Sequence, residues 1–447
     1  MSKFIASIDI GTTNIKINLF NSDYQVVDMV KYPHLNINQD ASVFEMDFEE
    51  IWENVLDGIK HLIIVNEVEQ LEIILTTAMH SVQLINEDGT LSGAVLTWAD
   101  TRGAEIIEQQ SEEALANQYN RTGTPIHSMN PYFKLMSVYE KGMCVGSLKD
   151  LLFYQLTGEW VIDISNASSS GLLNLESLTW DAISLADIGL ETSELPRIKA
   201  VDYNAKAMDA LFNAEVSVTI GTTDGISSNY VFSDLDDVAV LSIGTSHAVR
   251  VINKQPQLNN LYQNFAYHIK KGQYLIGLPS NNGADVLSWT NKVFNSSFDE
   301  LNRIAAQRPQ TESVFIPHLN GERAPIWDEG ATGNLFALTR VSSRESVLFS
   351  IILGMIFNIK HNVSALEEIA DFSEIGLVGG VTELDAFPQL ISDILGYKLY
   401  IPIMKNAETL GSIAVVKDVD LPSEYRVVKP RSNQNFDELY KKYLDRV

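Results

Sequence analysis

Two carboxylates, Asp9 and Asp224, sit beside short phrases able to handle phosphate. SIDIGTTNIK covers residues 7–16 and VTIGTTDGIS covers 218–227, and a third phrase, LSIGTSHAV at 241–249, has the same Gly and hydroxyl residues without an acid. A Gly at the end of a β-prone run leaves room for backbone N–H groups and neighbouring hydroxyls to converge on a phosphate. Gly11, Thr12, Thr13, Asn14 and Lys16 form one such grip, and Gly244, Thr245 and Ser246 form a second. Together they are expected to hold a polyphosphate such as ATP from two sides. A carboxylate at a strand end is costly unless it is partnered. Asp9 therefore suits a hydrated Mg²⁺ carried by the nucleotide, which prefers one or two carboxylates plus phosphates and waters. Its alternative is to accept hydrogen bonds from its own turn. Asp224, in a Gly-flanked turn, suits a general base that draws the proton from an attacking hydroxyl. Its alternative is an Asx turn between Thr223 and Gly225.

Other phosphate and metal devices do not occur in the sequence. It has no G-x-x-x-x-G-K-[ST] and no G-x-G-x-x-G, and its eight histidines show no H-E-x-x-H. The formal net charge is −26, from 32 basic and 58 acidic residues. No basic run offsets it, so neither nucleic acid nor a membrane is an expected partner. The single cysteine, Cys144, excludes an internal disulfide and fits a reducing cytoplasm. The N-terminus runs straight into a strand without a signal-peptide pattern, and the apolar stretch 347–357 reads as a buried helix. A cytoplasmic protein is the expectation.

The elements that must position these residues alternate strand and helix. FIASIDI, GTTN and IKINLF read as strand, turn and strand. A helix follows over 47–64, with Asp47 as N-cap and Glu50 completing a capping box. Strands at 71–78 and 93–98 continue the pattern. From 237 the arrangement restarts: strand 237–243, turn GTSH, strand AVRVIN, a helix near 283–295 and a long buried helix near 343–368. A strand at 375–380, a helix at 386–396 and a strand at 398–403 complete it. Each half thus opens on a strand–IGT–strand hairpin, which implies a duplicated α/β domain, 1–236 and 237–447, with the site in the cleft between them.

The residues in this order resemble the FGGY family of carbohydrate kinases. DIGTTNIK resembles its first phosphate hairpin, and MHS at 79–81 and TWADTR at 97–102 its sugar-contact segments. NPYFKL at 130–135 is similar to its first signature, GTTDG at 221–225 to its catalytic loop, and SIGTS at 242–246 to its second hairpin. NNGA at 281–284 and the pair Gly379–Gly380 resemble its nucleotide-site glycines. The resemblance implies two ribonuclease-H-like, actin-like ATPase domains. It implies Asp224 as base, Thr12, Thr13, Thr245 and Gly283 around the phosphates, and Gly380 against the adenosine. Met79, His80, Ser81, Trp98, Asp100, Arg102 and Tyr132 would line the sugar pocket. AMHS, TWAD, ASSSGLLNL and GERAPIWD are most similar to gluconate kinases within the family. Gluconate is an open-chain acid that needs a cation, for which Arg102, Lys134 and Arg323 are candidates. The implied partners are a small sugar or sugar acid and ATP with Mg²⁺, and a homodimer is compatible. The alternatives are a kinase for xylulose or another polyol, and an actin-like ATPase without a sugar. Ala337 stands where related kinases usually have Gly.

Overall fold

The computed structural model describes residues 3–40, 42–404, 407–420, 424–431 and 436–447. The chain opens on an antiparallel meander of β1 (Lys3–Ile10), β2 (Asn14–Phe20) and β3 (Val26–Pro33). α1 (Phe48–Val65) crosses back to β4 (Gln70–Thr77), which lies parallel to β1. The Asp47 side chain caps α1 at the N–H groups of Glu49 and Glu50. The expected capping box does not form, because the Glu50 carboxylate accepts the Leu35 and Asn36 N–H groups instead, at 2.7 and 2.8 Å.

α2 (Pro131–Val138) and α3 (Leu148–Thr157) belong to a long excursion after β4. Near them lies a separate antiparallel sheet of residues 37–40, 43–46, 82–85, 91–96 and 144–146. β5 (Asn204–Lys206) and β6 (Glu215–Thr223) then complete the first sheet, in the order β5-β6-β4-β1-β2-β3. α4 (Asp224–Tyr230) follows β6 directly.

The second half repeats the plan. β7 (Val238–Ile243) and β8 (His247–Asn253) form its hairpin, followed by β9 (Phe265–Lys270) and β10 (Gln273–Ser280). α5 (Asp285–Phe294) and α6 (Arg344–Glu367) lead to β11 (Glu374–Val378), parallel to β7, and then to β12 (Leu399–Pro402). α7 (Ala407–Lys417) and β13 (Tyr425–Val428) come last, and the sheet order is β9-β10-β8-β7-β11-β12-β13. In both halves the first strand has an antiparallel partner on one side and a parallel one on the other. α6 is long and apolar enough to cross a membrane, but Leu348, Ile352, Met355 and Ile359 are buried in the second core.

One element departs from the expected division at 237. α7 packs on the first sheet, where the Ser7 hydroxyl donates to the Thr409 carbonyl (2.9 Å) and the Asn18 amide to the Thr409 hydroxyl (2.7 Å). Lys417 pairs with Glu72 at 2.6 Å. A side chain at Gly411 would collide with the Ser227 carbonyl, so α7 and α4 touch backbone to backbone. Ile5, Phe20 and Ile74 of the first sheet share one apolar cluster with Leu410 and Ile413 of α7 and with Phe265 and Tyr267 of β9.

Ala337 adopts φ +59, a left-handed conformation that costs a residue with a Cβ about 1–2 kcal/mol. Part of that is returned when Gly loosens the unfolded chain. Ala337→Gly is therefore expected to stabilise the protein by about 0.5–1 kcal/mol. A urea midpoint that stays put or falls would reject this.

Candidate active site

A cleft of about 360 Å³ opens between the two halves. On one wall the turn after β1 is closed by the Gly11 N–H donating to the Asn14 carbonyl (3.1 Å), and the His34 N–H fixes the Thr13 carbonyl (3.0 Å). Gly11, Thr12, Thr13, Asn14 and Lys16 all line the cleft. On the opposite wall the Gly244 N–H donates to the Ser246 carbonyl (2.9 Å), and Thr245 and Ser246 face the first turn. The start of α5 seats this second turn: Gly283 and Asp285 N–H groups donate to the Thr245 carbonyl (3.0 and 3.2 Å), and the Ala284 N–H to that of Gly244 (2.7 Å). A Cβ on Gly283 would collide with the Ser246 backbone and stand 2.7 Å from the Gly244 carbonyl oxygen. Gly283 thus supports the turn from behind. Gly379, at φ +101, passes so close to the Ile243 carbonyl that a side chain would strike it, whereas Gly380 faces open space. Gly244, Gly283, Gly379 and Gly380 lie outside the main cleft lining.

Asp9 and Asp224 both face this cleft. Burial, opposed by Lys16, its register partner on β2, and aided to a lesser degree by Asp224 and Glu408, brings the Asp9 carboxyl up to about 7. A buried carboxylate that faces the cleft fits a divalent cation, which would hold it ionised. The residues ahead of Asp224 do not form the expected turn. Gly221, Thr222 and Thr223 finish β6, with Gly221 at φ +70 pressed on the Leu75 carbonyl, and Asp224 is the first residue of α4. Its Oδ1 accepts the Gly225 N–H at 2.7 Å. Burial raises its proton affinity, opposed first by Arg250, then by the Gly225 N–H and Lys149. Lys149, buried on α3 and paired with Asp163 at 2.6 Å, donates to the Thr222 carbonyl at 2.7 Å and so fixes the end of β6.

Met79, His80, Trp98 and Arg323 line the other end of the cleft, with Met129, Phe265 and Pro279. Arg323 reaches over from the second half and stands above the Trp98 ring, 5.1 Å from its centroid. His80 holds φ +67, and its Nδ1 lies 2.8 Å from the Ser169 carbonyl. Burial, with Lys134 and Arg323 adding repulsion, lowers its pKa to about 3. The ring is therefore neutral, donating from Nδ1 and leaving Nε2 as an acceptor. Between pH 6.5 and about 3 the unfolded chain takes up a proton that folded His80 refuses, so this group's contribution to stability falls as pH drops through that window. The His80 ring signals are expected to stay constant from pH 8 to 5 in histidine-labelled NMR spectra. A midpoint near 6.5 would contradict the burial argument.

Five expected sugar contacts lie elsewhere. The buried Lys134 ammonium donates to the carbonyls of His80 (3.1 Å), Met129 (2.9 Å) and Thr97, so it ties three pocket loops together without reaching the cleft. Arg102 forks onto the buried Asp100 carboxylate (3.1 and 2.9 Å) and pairs with Glu45 (2.8 Å). Asp100 also accepts the Phe44 N–H, so this pair pins the 97–102 turn. Tyr132 donates to Asp187 at 2.9 Å and packs on Phe133. The Ser81 hydroxyl accepts the Leu148 N–H at the start of α3. Local hydrogen-bond partners win each of these side chains away from the cleft. Conversely, Arg250, Lys149 and Glu408 were not singled out in the sequence. Arg250 had one usable signal, its place two residues after the cleft-lining Ala248 on β8, where side chains alternate.

Comparison with known proteins agrees with this geometry. Residues 4–230 match the N-terminal domain of the FGGY family of carbohydrate kinases, and 239–416 its C-terminal domain. The chain is 31% identical over 445 residues to a gluconokinase of Bacillus subtilis, covering 92% of this chain and 86% of the relative. It is 26% identical over 437 residues to a glycerol kinase of Thermococcus kodakarensis, covering 92% and 87%. Among solved structures, a gluconate kinase from Lactobacillus acidophilus superposes with a TM-score of 0.93 at 25% identity, covering 100% of this chain and 97% of that one. A ligand-bound xylulose kinase from the same organism gives the same score and identity, covering 99% and 97%.

Proposed function

The chain belongs to the FGGY family of carbohydrate kinases, and from that premise we infer that it is a gluconokinase, moving the γ-phosphoryl group of ATP to the terminal hydroxyl of D-gluconate. The observation that favours an acid over xylulose or glycerol is Arg323. Its guanidinium is buried, Nη2 donates to the Ser280 carbonyl at 2.8 Å, and Nε has no partner. Its acidic neighbour Glu322 is committed to the Asn281 and Arg323 N–H groups and to the amides of Asn282 and Asn358. Glu322 lends Arg323 its charge but no hydrogen bond to the guanidinium, and a buried donor left unmet costs about 1–3 kcal/mol, or more for a charged group. A substrate carboxylate meets it through charge-assisted hydrogen bonds, which a neutral sugar does not supply.

In this reading the two turns grip the polyphosphate, and Asp9 would hold the Mg²⁺ that accompanies ATP, whose charge would offset that of the phosphates. Asp224 takes the proton of the gluconate hydroxyl as its oxygen bonds to the γ-phosphorus. The bond from that phosphorus to the bridging oxygen breaks, and ADP leaves. Closure of the halves would exclude water and so limit idle ATP hydrolysis. An ATP-using reaction on a small metabolite suits the cytoplasm. Purified protein with ATP and Mg²⁺, assayed against gluconate, xylulose, ribulose and glycerol, is expected to give its highest kcat/KM with gluconate. A clear preference for any neutral substrate would overturn the acid assignment.

A further inference from the structure

Phosphoryl transfer itself leaves Arg250 without a role, yet the fold makes room for it. It rises from β8 opposite Gly277 on β10, where a Cβ would stand 2.9 Å from the Arg250 Cγ. At its far end, a Cβ on Gly225 would stand 3.1 Å from Nε. One glycine from each half therefore clears the path of this side chain into the cleft. Nη1 donates to the Ser242 hydroxyl at 2.8 Å, and Nε is buried without a partner, as in Arg323. Among the described residues neither guanidinium is in an ion pair, and each stands within electrostatic reach of the other. The charged and titratable groups around Arg250 are Asp224 at the start of α4, Tyr267 on β9, His247 at the start of β8 and Arg323. Those around Asp224 are Arg250, Lys149 on α3 and Asp9 on β1.

An acid entering this pocket brings its charge to a site that already holds the carboxylate base. We propose that Arg250 is a second substrate-binding arginine, which with Arg323 forms a two-arginine site selecting aldonic acids over neutral sugars. The assignment rests on the gluconokinase reading and adds a residue to it. Arg323 alone would balance the substrate's charge, and Arg250 offsets the repulsion between that charge and Asp224. Two buried guanidiniums near each other, each with an Nε that no protein acceptor meets, offer donors that an anionic ligand can fill.

The test compares gluconate with gluconamide, its neutral isostere, in the wild type, Arg250→Met and Arg250→Lys. The preference for the acid, a ratio of two kcat/KM values, is independent of the folded fraction because both are taken on one preparation. Arg250→Met is expected to reduce that ratio by about 10²-fold, mostly through KM for gluconate, and Arg250→Lys to keep much of it. An unchanged ratio in Arg250→Met, with both substrates slowed equally, would overturn the proposal in favour of a role in phosphoryl transfer or packing. If Arg250→Met does not accumulate, Ser242→Ala decides: a reduced ratio supports the proposal and an unchanged one rejects it. A wild-type enzyme that prefers xylulose or glycerol would instead reject the gluconokinase reading, so the two failures are distinguishable.

Discussion

Asp224→Asn is expected to bind ATP with near-normal affinity and to phosphorylate gluconate about 10²- to 10⁴-fold more slowly. The substitution keeps the shape of the side chain at the start of α4, where its oxygen can still accept the Gly225 N–H. What it removes is the lone pair that takes a proton. In the proposed mechanism the second carboxylate oxygen takes the proton of the substrate hydroxyl. Burial gives it a stronger hold on a proton than a solvated aspartate has, while Arg250 and Lys149 favour its ionised form. Both properties suit a base. The loss stays finite because positioning and charge stabilisation by the two turns supply most of a kinase's rate enhancement. Coupled-assay kcat together with calorimetric ATP affinity measures the two halves of the expectation. An Asn variant with the wild-type rate would remove Asp224 from the proton-transfer role.

Gly283→Val should be nearly as damaging, and for a different reason. The new side chain would be driven into the Ser246 backbone, and neither that strand-bound turn nor the start of α5 offers a flexible group that can yield. The Thr245–Ser246 turn must shift. A displacement of about 1 Å at a phosphate grip costs on the order of 10² in rate. We expect kcat/KM for ATP to fall by at least that much while gluconate binding, on the far side of the cleft, is retained. Gly380→Ala provides the contrast, because a Cβ there meets no protein atom within 4 Å and leaves the fold undisturbed, so any loss of ATP affinity would report contact with the nucleotide itself. A Gly283→Val enzyme with the wild-type kcat/KM for ATP would show that close packing behind the second turn is not what the enzyme depends on.

The end of the cleft where we place the phosphates was legible in the sequence because it is local. A Gly and its hydroxyl neighbours form a turn from their own backbone preferences, so Gly11 to Asn14 and Thr245 to Ser246 could be placed without knowing the fold. Asp9 was legible as an acid ending a buried strand. The duplicated hairpins followed from the repeated phrase. The end where we place the sugar was legible only as segments. Lys134 and Tyr132 lie in the expected stretches, yet each turns toward partners settled by tertiary packing, three carbonyls and Asp187, while Arg102 folds back on Asp100 two residues before it and is held there by Glu45. Arg250 meets Asp224 through the closeness of β8 and α4, two elements from different halves, and no spacing along the chain encodes that. The break at 237 was read from a restart of pattern, which could not show that α7 returns to the first sheet.

That return bears on how the protein is made. Ser7 and Thr409 are 402 residues apart in the chain and hydrogen-bonded in the fold. While the first half is being synthesised, the face of its sheet that carries Ile5, Phe20 and Ile74 has Val201, Ile226 and Tyr230 against it but lacks Leu410 and Ile413, which have yet to be translated. Domains usually complete themselves in the order they emerge from the ribosome. Here the earlier one must wait for the later to be almost finished, and such distant contacts are slow to form. A message truncated before residue 407 would yield a chain whose first sheet lacks the helix that packs on it.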